Sequence, residues 1–371
     1  MKKLKYLFIL AVICLLFVPC GTFEAHADSH SYVGMAVVSE GELLDSKDCY
    51  KKLAMASTTK IFTALTVIEN CKNLDELVKV PAEALRVEGT SIYLKADEKL
   101  TVKELLYGLM LRSGNDSAVT LAYHVSGGIK DFAELMNKTA TKYGLENTSL
   151  KNPHGLDEKD HYTTAYDLAI FTQNALKNKT FREIVSAKNF EIKERENCPH
   201  RYFVNKNRLL NSLDGCIGVK TGYTSHAGRC LVSAINDGEK DIVCVVLNCR
   251  PMFEDSAELL TRAKIKYGKF DILKDYGVVD EVPVEDGSKN YVRVYYKKGF
   301  SKVMPKEEIS NITVETDFPK SLKAPLKKDQ EIGTIKVFDK NNLIFEQKLY
   351  IMEEVKSKSI TDKIKNIFEK W

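Results

Sequence analysis

The sequence predicts an α/β domain followed by a small all-β domain, and three observations carry that reading. From about residue 29 to 275, strand-like and helix-like segments mix, with a largely helical stretch from Ser57 to about Lys179. Three apolar runs between Gly218 and Asn248 then follow one another, separated by glycines and an Asn236-Asp237-Gly238 turn, as antiparallel strands joined by hairpins would be. From about Gly277 to Glu353 the runs become short and β-rich, broken by Pro, Gly and Asn341-Asn342. A chain of 371 residues suffices for one large domain and a smaller one.

The first 27 residues read as an export signal. Met1-Lys2-Lys3-Leu4-Lys5 is basic, Leu7 to Val18 is apolar but too short to span a bilayer comfortably, and Ala25-His26-Ala27 has the small-x-small form of a cleavage site. Cys20 offers a rival start as a lipid-modified residue, although Pro19 before it suits such a signal poorly. His30 to Val38 is the opening strand, with Glu40-Gly41 as its turn. Met55 to Leu65 reads as an amphipathic helix, and Leu105 to Leu111 as a helical apolar run. Gly218–Tyr223, Gly228–Ala234 and Lys240–Asn248 are the three later strands, and a helix from Asp255 to about Tyr267 closes the domain.

Tyr291–Tyr296, Asn311–Thr316, Glu331–Phe338 and Leu343–Ile351 are the strands of the second domain, which carries no chemistry of its own. In the last stretch, Ile360, Ile364, Ile367, Phe368 and Trp371 form one apolar stripe on a helix, with Lys356, Lys358, Lys363, Lys365 and Lys370 mainly off it. Such a helix is too short and too charged to cross a bilayer but suits an anionic membrane surface. The alternative is a terminal helix docked on the β domain. The predicted boundaries are 1–27, 28–275, 276–353 and 354–371.

Formal charge is +4, falling to about +2 without the first 27 residues, and no basic patch is dense enough for nucleic-acid binding. Seven cysteines follow residue 27, an odd number that cannot all pair within one chain. None has Cys-x-x-Cys spacing, and neither a metal nor an organic cofactor is expected. Cys244 falls in an apolar strand as a buried thiol. Cys216 and Cys230 flank the turn after Lys220, and a disulfide between them is the pairing expected there.

The chemistry begins at Ser57-Thr58-Thr59-Lys60. Three residues are almost one helical turn, so the Ser57 hydroxyl and Lys60 amine share a face. Serine needs an adjacent base to act as a nucleophile, and a lysine serves if burial or a second cation lowers its pKa. Ser-x-x-Lys alone occurs by chance. Two later elements follow it in order: Ser113-Gly114-Asn115, where a glycine between short polar residues marks a sharp turn, and Lys220-Thr221-Gly222-Tyr223 on the first later strand.

In that order the three elements resemble the penicillin-binding proteins and class A β-lactamases. The Ser-Gly-Asn form of the middle element is similar to the low-molecular-mass D-alanyl-D-alanine carboxypeptidases, and so are Asn152-Pro153-His154-Gly155-Leu156-Asp157 and His161 to Ala169. The resemblance covers nearly the whole chain after the signal. It implies a serine-transpeptidase/β-lactamase-like α/β fold, with terminal strands joined in one antiparallel sheet around a helical insertion, and a membrane anchor at the C-terminus.

It further implies a serine-type carboxypeptidase that removes the terminal D-alanine from peptidoglycan pentapeptide stems outside the cytoplasmic membrane, with β-lactams as covalent inhibitors. Ser57 would be the nucleophile, Lys60 its base and Ser113 a proton relay. Asn115, Lys220, Thr221, Gly222 and Tyr223 would hold the substrate, and the amides of Ser57 and Tyr223 would stabilise the oxyanion. The family's carboxylate-binding arginine is matched by Arg250, with Arg229 structural; His154 and His161 are expected to be structural. A β-lactamase would need a Glu-x-x-Leu-Asn setting, which Lys151 to Leu156 lacks. A silent wall-binding protein is the non-enzymatic alternative.

Overall fold

The computed structural model describes residues 31–359; the export segment, Cys20 and the apolar stripe of Ile360–Trp371 lie outside the described residues. Strands β1 (Gly34–Ser39) and β2 (Glu42–Lys47) form a hairpin, and β3 (Cys216–Thr224), β4 (Gly228–Asn236) and β5 (Asp241–Leu247) follow after the helical stretch. They make one five-stranded sheet in the order β2-β1-β5-β4-β3, antiparallel throughout. The terminal strands therefore join around a helical insertion, as expected.

Side-chain alternation explains why these strands read as continuous apolar runs. Ala36, Val38, Val232, Val243 and Val245 point into one core, while Met35, Val37, Leu231, Ile242 and Val246 point into another on the opposite face. Helices α1 (Lys60–Asn70), α2 (Asn115–Ser126) and α3 (Ala165–Leu176) belong to the first core, and α4 (Met252–Lys266) covers the second. A sheet buried on both faces has no polar alternation to show.

Helix α1 departs from the amphipathic expectation. Every residue from Lys60 to Val67 is buried, so its first two turns have no solvent face. Phe62 stacks on Phe171 with ring centroids 4.2 Å apart, and the Thr63 hydroxyl donates to the Pro153 carbonyl at 2.6 Å. The chain enters α1 through a tight 3-10 turn, Ala56–Thr59, that carries Ser57.

None of the seven described cysteines is in a disulfide, which corrects the expected Cys216–Cys230 pairing. Register is the reason. Cys230 sits opposite Gly222 and Cys216 opposite Ile235, so the two lie about 17 Å apart along the sheet, far beyond disulfide reach. Cys244 is a fully buried thiol, pushed up to about 12 by burial.

The C-terminal part is all β. A six-stranded sheet runs in the order 312–317, 331–339, 342–351, 291–295, 278–285, 322–323. Strand Tyr267–Leu273 pairs with Phe300–Pro305, so the chain enters this part before the 275/276 boundary read from sequence. Tyr267 also donates its hydroxyl to Leu44 of β2 at 2.6 Å, tying the two parts. The helix expected from residue 354 does not start there. Val355 and Leu326 exchange backbone hydrogen bonds of 2.8 and 3.0 Å, and Ser357 bridges to Gly287, so the β domain extends through these residues. Among the described residues, no helix is long and apolar enough to cross a membrane.

Candidate active site

The site lies where the turn before α1 meets the edge strand β3. Ala56, the residue before the nucleophile candidate, has φ 49°, a left-handed conformation uncommon for a non-glycine residue and often found where function constrains the backbone. Gly222 of β3 presses on the same turn: a Cβ there would lie 3.0 Å from the Ser57 nitrogen and 3.1 Å from the Met55 oxygen. A side chain here would push strand and turn apart by a few tenths of an ångström, so glycine suits the close approach.

Lys60 is fully buried, and its Nζ faces three oxygens: Asn115 Oδ1 at 2.7 Å, the His154 carbonyl at 2.7 Å and Ser57 Oγ at 3.1 Å. The first two accept only. Asn115 Nδ2 donates to the Glu88 carbonyl at 2.6 Å, which fixes the amide so that its oxygen faces the lysine. Of the three, only the Ser57 hydroxyl can donate. A neutral Lys60 thus gives its two N–H groups to the two carbonyl oxygens and turns its lone pair toward Ser57. Burial, followed by the nearby Lys220 and Lys206, holds the Lys60 pKa well below its ordinary value; Asp116 pulls weakly the other way.

Lys220 is also buried, and its pKa falls to about 7 through burial and the charge of Lys206. Its Nζ donates to the Thr221 carbonyl at 2.9 Å. Ser113 follows a π-helical turn, Gly108–Arg112, and takes a left-handed φ of 67°, which re-aims the chain after the apolar run. Its buried Oγ has no hydrogen-bond partner among the described residues.

A cavity of about 360 Å³ joins these parts, lined by Ser57, Ser113, Thr221, Gly222 and Tyr223 together. Lys206, Arg208 and Arg229 also line it, and no carboxylate does. Arg208 lies over the Phe253 ring, 5.4 Å from its centroid, and Arg229 lies 5.7 Å from that of Tyr223. Arg250 lines a neighbouring cavity of about 490 Å³ instead, with Arg229 and Tyr223 common to both. Lys60, Asn115 and Lys220 sit behind the cavity wall, within the protein.

Both histidines play supporting parts. The Lys151 amide donates to His161 Nδ1 at 3.0 Å, so the neutral ring carries its proton on Nε2 and donates to Thr59 Oγ1 at 2.9 Å. Burial pushes His161 down to about 4 and His154 to about 3. His154 serves Lys60 through its main-chain oxygen. That carbonyl is set by Gly155, where φ is +85° and a Cβ would fall 1.9 Å from the Ala56 oxygen.

Sequence reasoning missed Asp116, Lys206 and Arg208. Asp116 accepts from the Ile92 and Leu94 amides at 3.1 Å and from the Ser91 hydroxyl at 2.5 Å, pinning the loop beside Asn115. An acid in the first turn of a helix was a readable signal for it. Lys206 and Arg208 come from a segment with no motif, and only folding brings them to the cavity.

Residues 21–250 match the family model described as D-alanyl-D-alanine carboxypeptidase, and residues 267–357 match penicillin-binding protein 5, C-terminal domain. The D-alanyl-D-alanine carboxypeptidase DacF of Bacillus subtilis is 30% identical over 100% of this chain and 99% of its own length. DacC of Escherichia coli is 32% identical, covering 90% of this chain and 86% of its own. Penicillin binding protein 5 from Haemophilus influenzae superposes with a TM-score of 0.73 at 26% identity, over 88% of this chain and 98% of that one.

Proposed function

The chain belongs to the D-alanyl-D-alanine carboxypeptidase family and is a serine-type hydrolase, and on that footing we propose that Ser57 and Lys60 remove the terminal D-alanine of peptidoglycan stem peptides outside the cytoplasmic membrane. The observation that carries this is the trio of oxygens around Lys60 Nζ, two of which cannot donate. Lys60 takes the Ser57 proton as Oγ attacks the carbonyl between the two D-alanines. The Ser57 and Tyr223 amides face the oxyanion, and each such donor contributes about 3 kcal/mol to its stabilisation. As the C–N bond breaks, Ser113 relays the proton held by Lys60 to the departing amine, which leaves Ser113 a hydroxyl and Lys60 neutral again. Water, deprotonated by Lys60, then hydrolyses the acyl-enzyme and restores Ser57.

The terminal carboxylate sits against Thr221 in the field of Lys206, Arg208 and Arg229. Arg229 is better placed for it than Arg250, because it lines the Ser57 cavity. Release of free D-alanine from a pentapeptide tests the assignment, together with a penicilloyl adduct that persists for minutes. An adduct cleared within milliseconds, without D-alanine release, would indicate a β-lactamase instead.

The charge of Lys206 lowers the pKa of both buried amines, so Lys206→Met raises both. At a given pH more Lys60 is then protonated, and the acid limb of penicillin acylation moves to higher pH. An unmoved limb, or one moved to lower pH, counts against Lys60 as the base. We also propose that the stripe of Ile360–Trp371 holds the enzyme on an anionic membrane surface. Its support is the pattern of apolar residues and lysines. A chain ending at Lys358 should lose membrane sedimentation; equal sedimentation of the two forms removes the idea.

A further inference from the structure

Away from the active site, Cys71, Glu76 and His124 bring a thiol, a carboxylate and an imidazole together, their ligand atoms all within 4.8 Å of one another. His124 Nε2 and Glu76 Oε1 are 3.0 Å apart. Each comes from a different segment with its own backbone anchorage. Cys71 directly follows α1 and its amide donates to the Val67 carbonyl at 2.9 Å. His124 lies in the last turn of α2. Glu76 stands on the connection whose carbonyls, at Leu74 and Glu76, receive the Lys103 and Val102 amides at 2.8 and 3.2 Å.

Two helices end here, and the carbonyl ends of both contribute partial negative charge that favours a cation. Cys71 is half-buried, whereas Glu76 and His124 are exposed, so an ion can reach the cluster. Mixed sulfur, nitrogen and oxygen donors are the set that zinc takes in tetrahedral sites. Zinc-bound donors stand about 3.3–3.7 Å apart, given bond lengths of about 2.0–2.3 Å. The present spacing is within a side-chain rotation of that.

We propose that Cys71, Glu76 and His124 form a zinc site with its fourth position open to water. The site clips the far ends of α1 and α2, whose near ends carry Lys60 and Asn115. Its role is to hold these helices together, because an ion that binds only the folded chain stabilises it.

The test is a zinc titration of the full, chelator-stripped chain by calorimetry, repeated with cobalt to read ligand type. The expected result is one zinc equivalent bound at micromolar or lower concentration, a thiolate-to-cobalt charge-transfer band, and a higher melting temperature with zinc. Cys71→Ser should remove the band, and Cys71→Ser and His124→Ala should each weaken binding by tenfold or more. Glu76→Gln, on an exposed connection, gives a third variant should either of the others fold poorly by circular dichroism. Cys216→Ser, at a thiol on strand β3 and outside the cluster, should bind as the parent does. No binding by the parent chain at micromolar zinc overturns the proposal. So does unchanged affinity in the folded variants, or loss of the band in Cys216→Ser.

Discussion

Ser57→Ala is expected to cut D-alanine release by ~10⁴-fold or more and to remove the covalent penicillin adduct, with the fold unchanged. The loss is large because nucleophile and base act as one unit. Among the described residues, Lys60 Nζ has no hydroxyl partner besides Ser57, its other two partners being carbonyl oxygens. The fold survives because those same two bonds keep Lys60 satisfied when Oγ is deleted. Ser310→Ala in the β domain is the matched control and should match the parent rate. Substantial D-alanine release by Ser57→Ala, in a preparation free of other carboxypeptidases, would remove Ser57 from its role.

Gly155→Ala should lower unfolding stability by about 3 kcal/mol or more, at the large end for a single substitution. Two costs combine. Its φ of +85° is strained for any residue with a Cβ, at about 1 kcal/mol. The new methyl would also stand 1.9 Å from the Ala56 oxygen and 2.5 Å from the Ala56 carbon, backbone atoms that cannot rotate away. Relief must come by separating residues 154–155 from residues 56–57, which pulls the His154 carbonyl off Lys60 and displaces Ser57. Penicillin acylation should therefore slow in the molecules that still fold. Gly127→Ala isolates the conformational part: its φ is +76° with nothing within 4 Å of the added Cβ, so it should cost only about 1 kcal/mol. Equal urea midpoints for the two variants would show that the close contact at Gly155 is not felt.

Much of this was legible before folding. Ser57, Lys60, Ser113, Asn115 and Lys220 sit in short motifs, as the proposed chemistry, which needs them at fixed offsets within a turn or a strand, would require. The β3–β5 strands announced themselves by length and turn residues. What escaped the sequence was set by long-range packing. The α1 helix looked amphipathic because its threonines and Lys60 are polar, yet the fold buries them against carbonyls from residues 153 and 154. Strand register decides that Cys216 and Cys230 are far apart, and no local spacing reveals register. Arg208 reaches the cavity by a route that leaves no motif behind.

The main-chain origin of two contacts bears on how such an enzyme can escape a drug. The carbonyls of Glu88 and His154 orient the Asn115 amide and the Lys60 amine. Substitution changes a side chain but cannot delete a carbonyl, so neither position offers a direct means of retuning the base under β-lactam selection. The exchangeable groups are those lining the mouth, Lys206, Arg208, Arg229 and Tyr223, which on the proposed mechanism antibiotic and stem peptide would both meet. On that mechanism, a substitution at the mouth that weakens the antibiotic should lower D-alanine release as well.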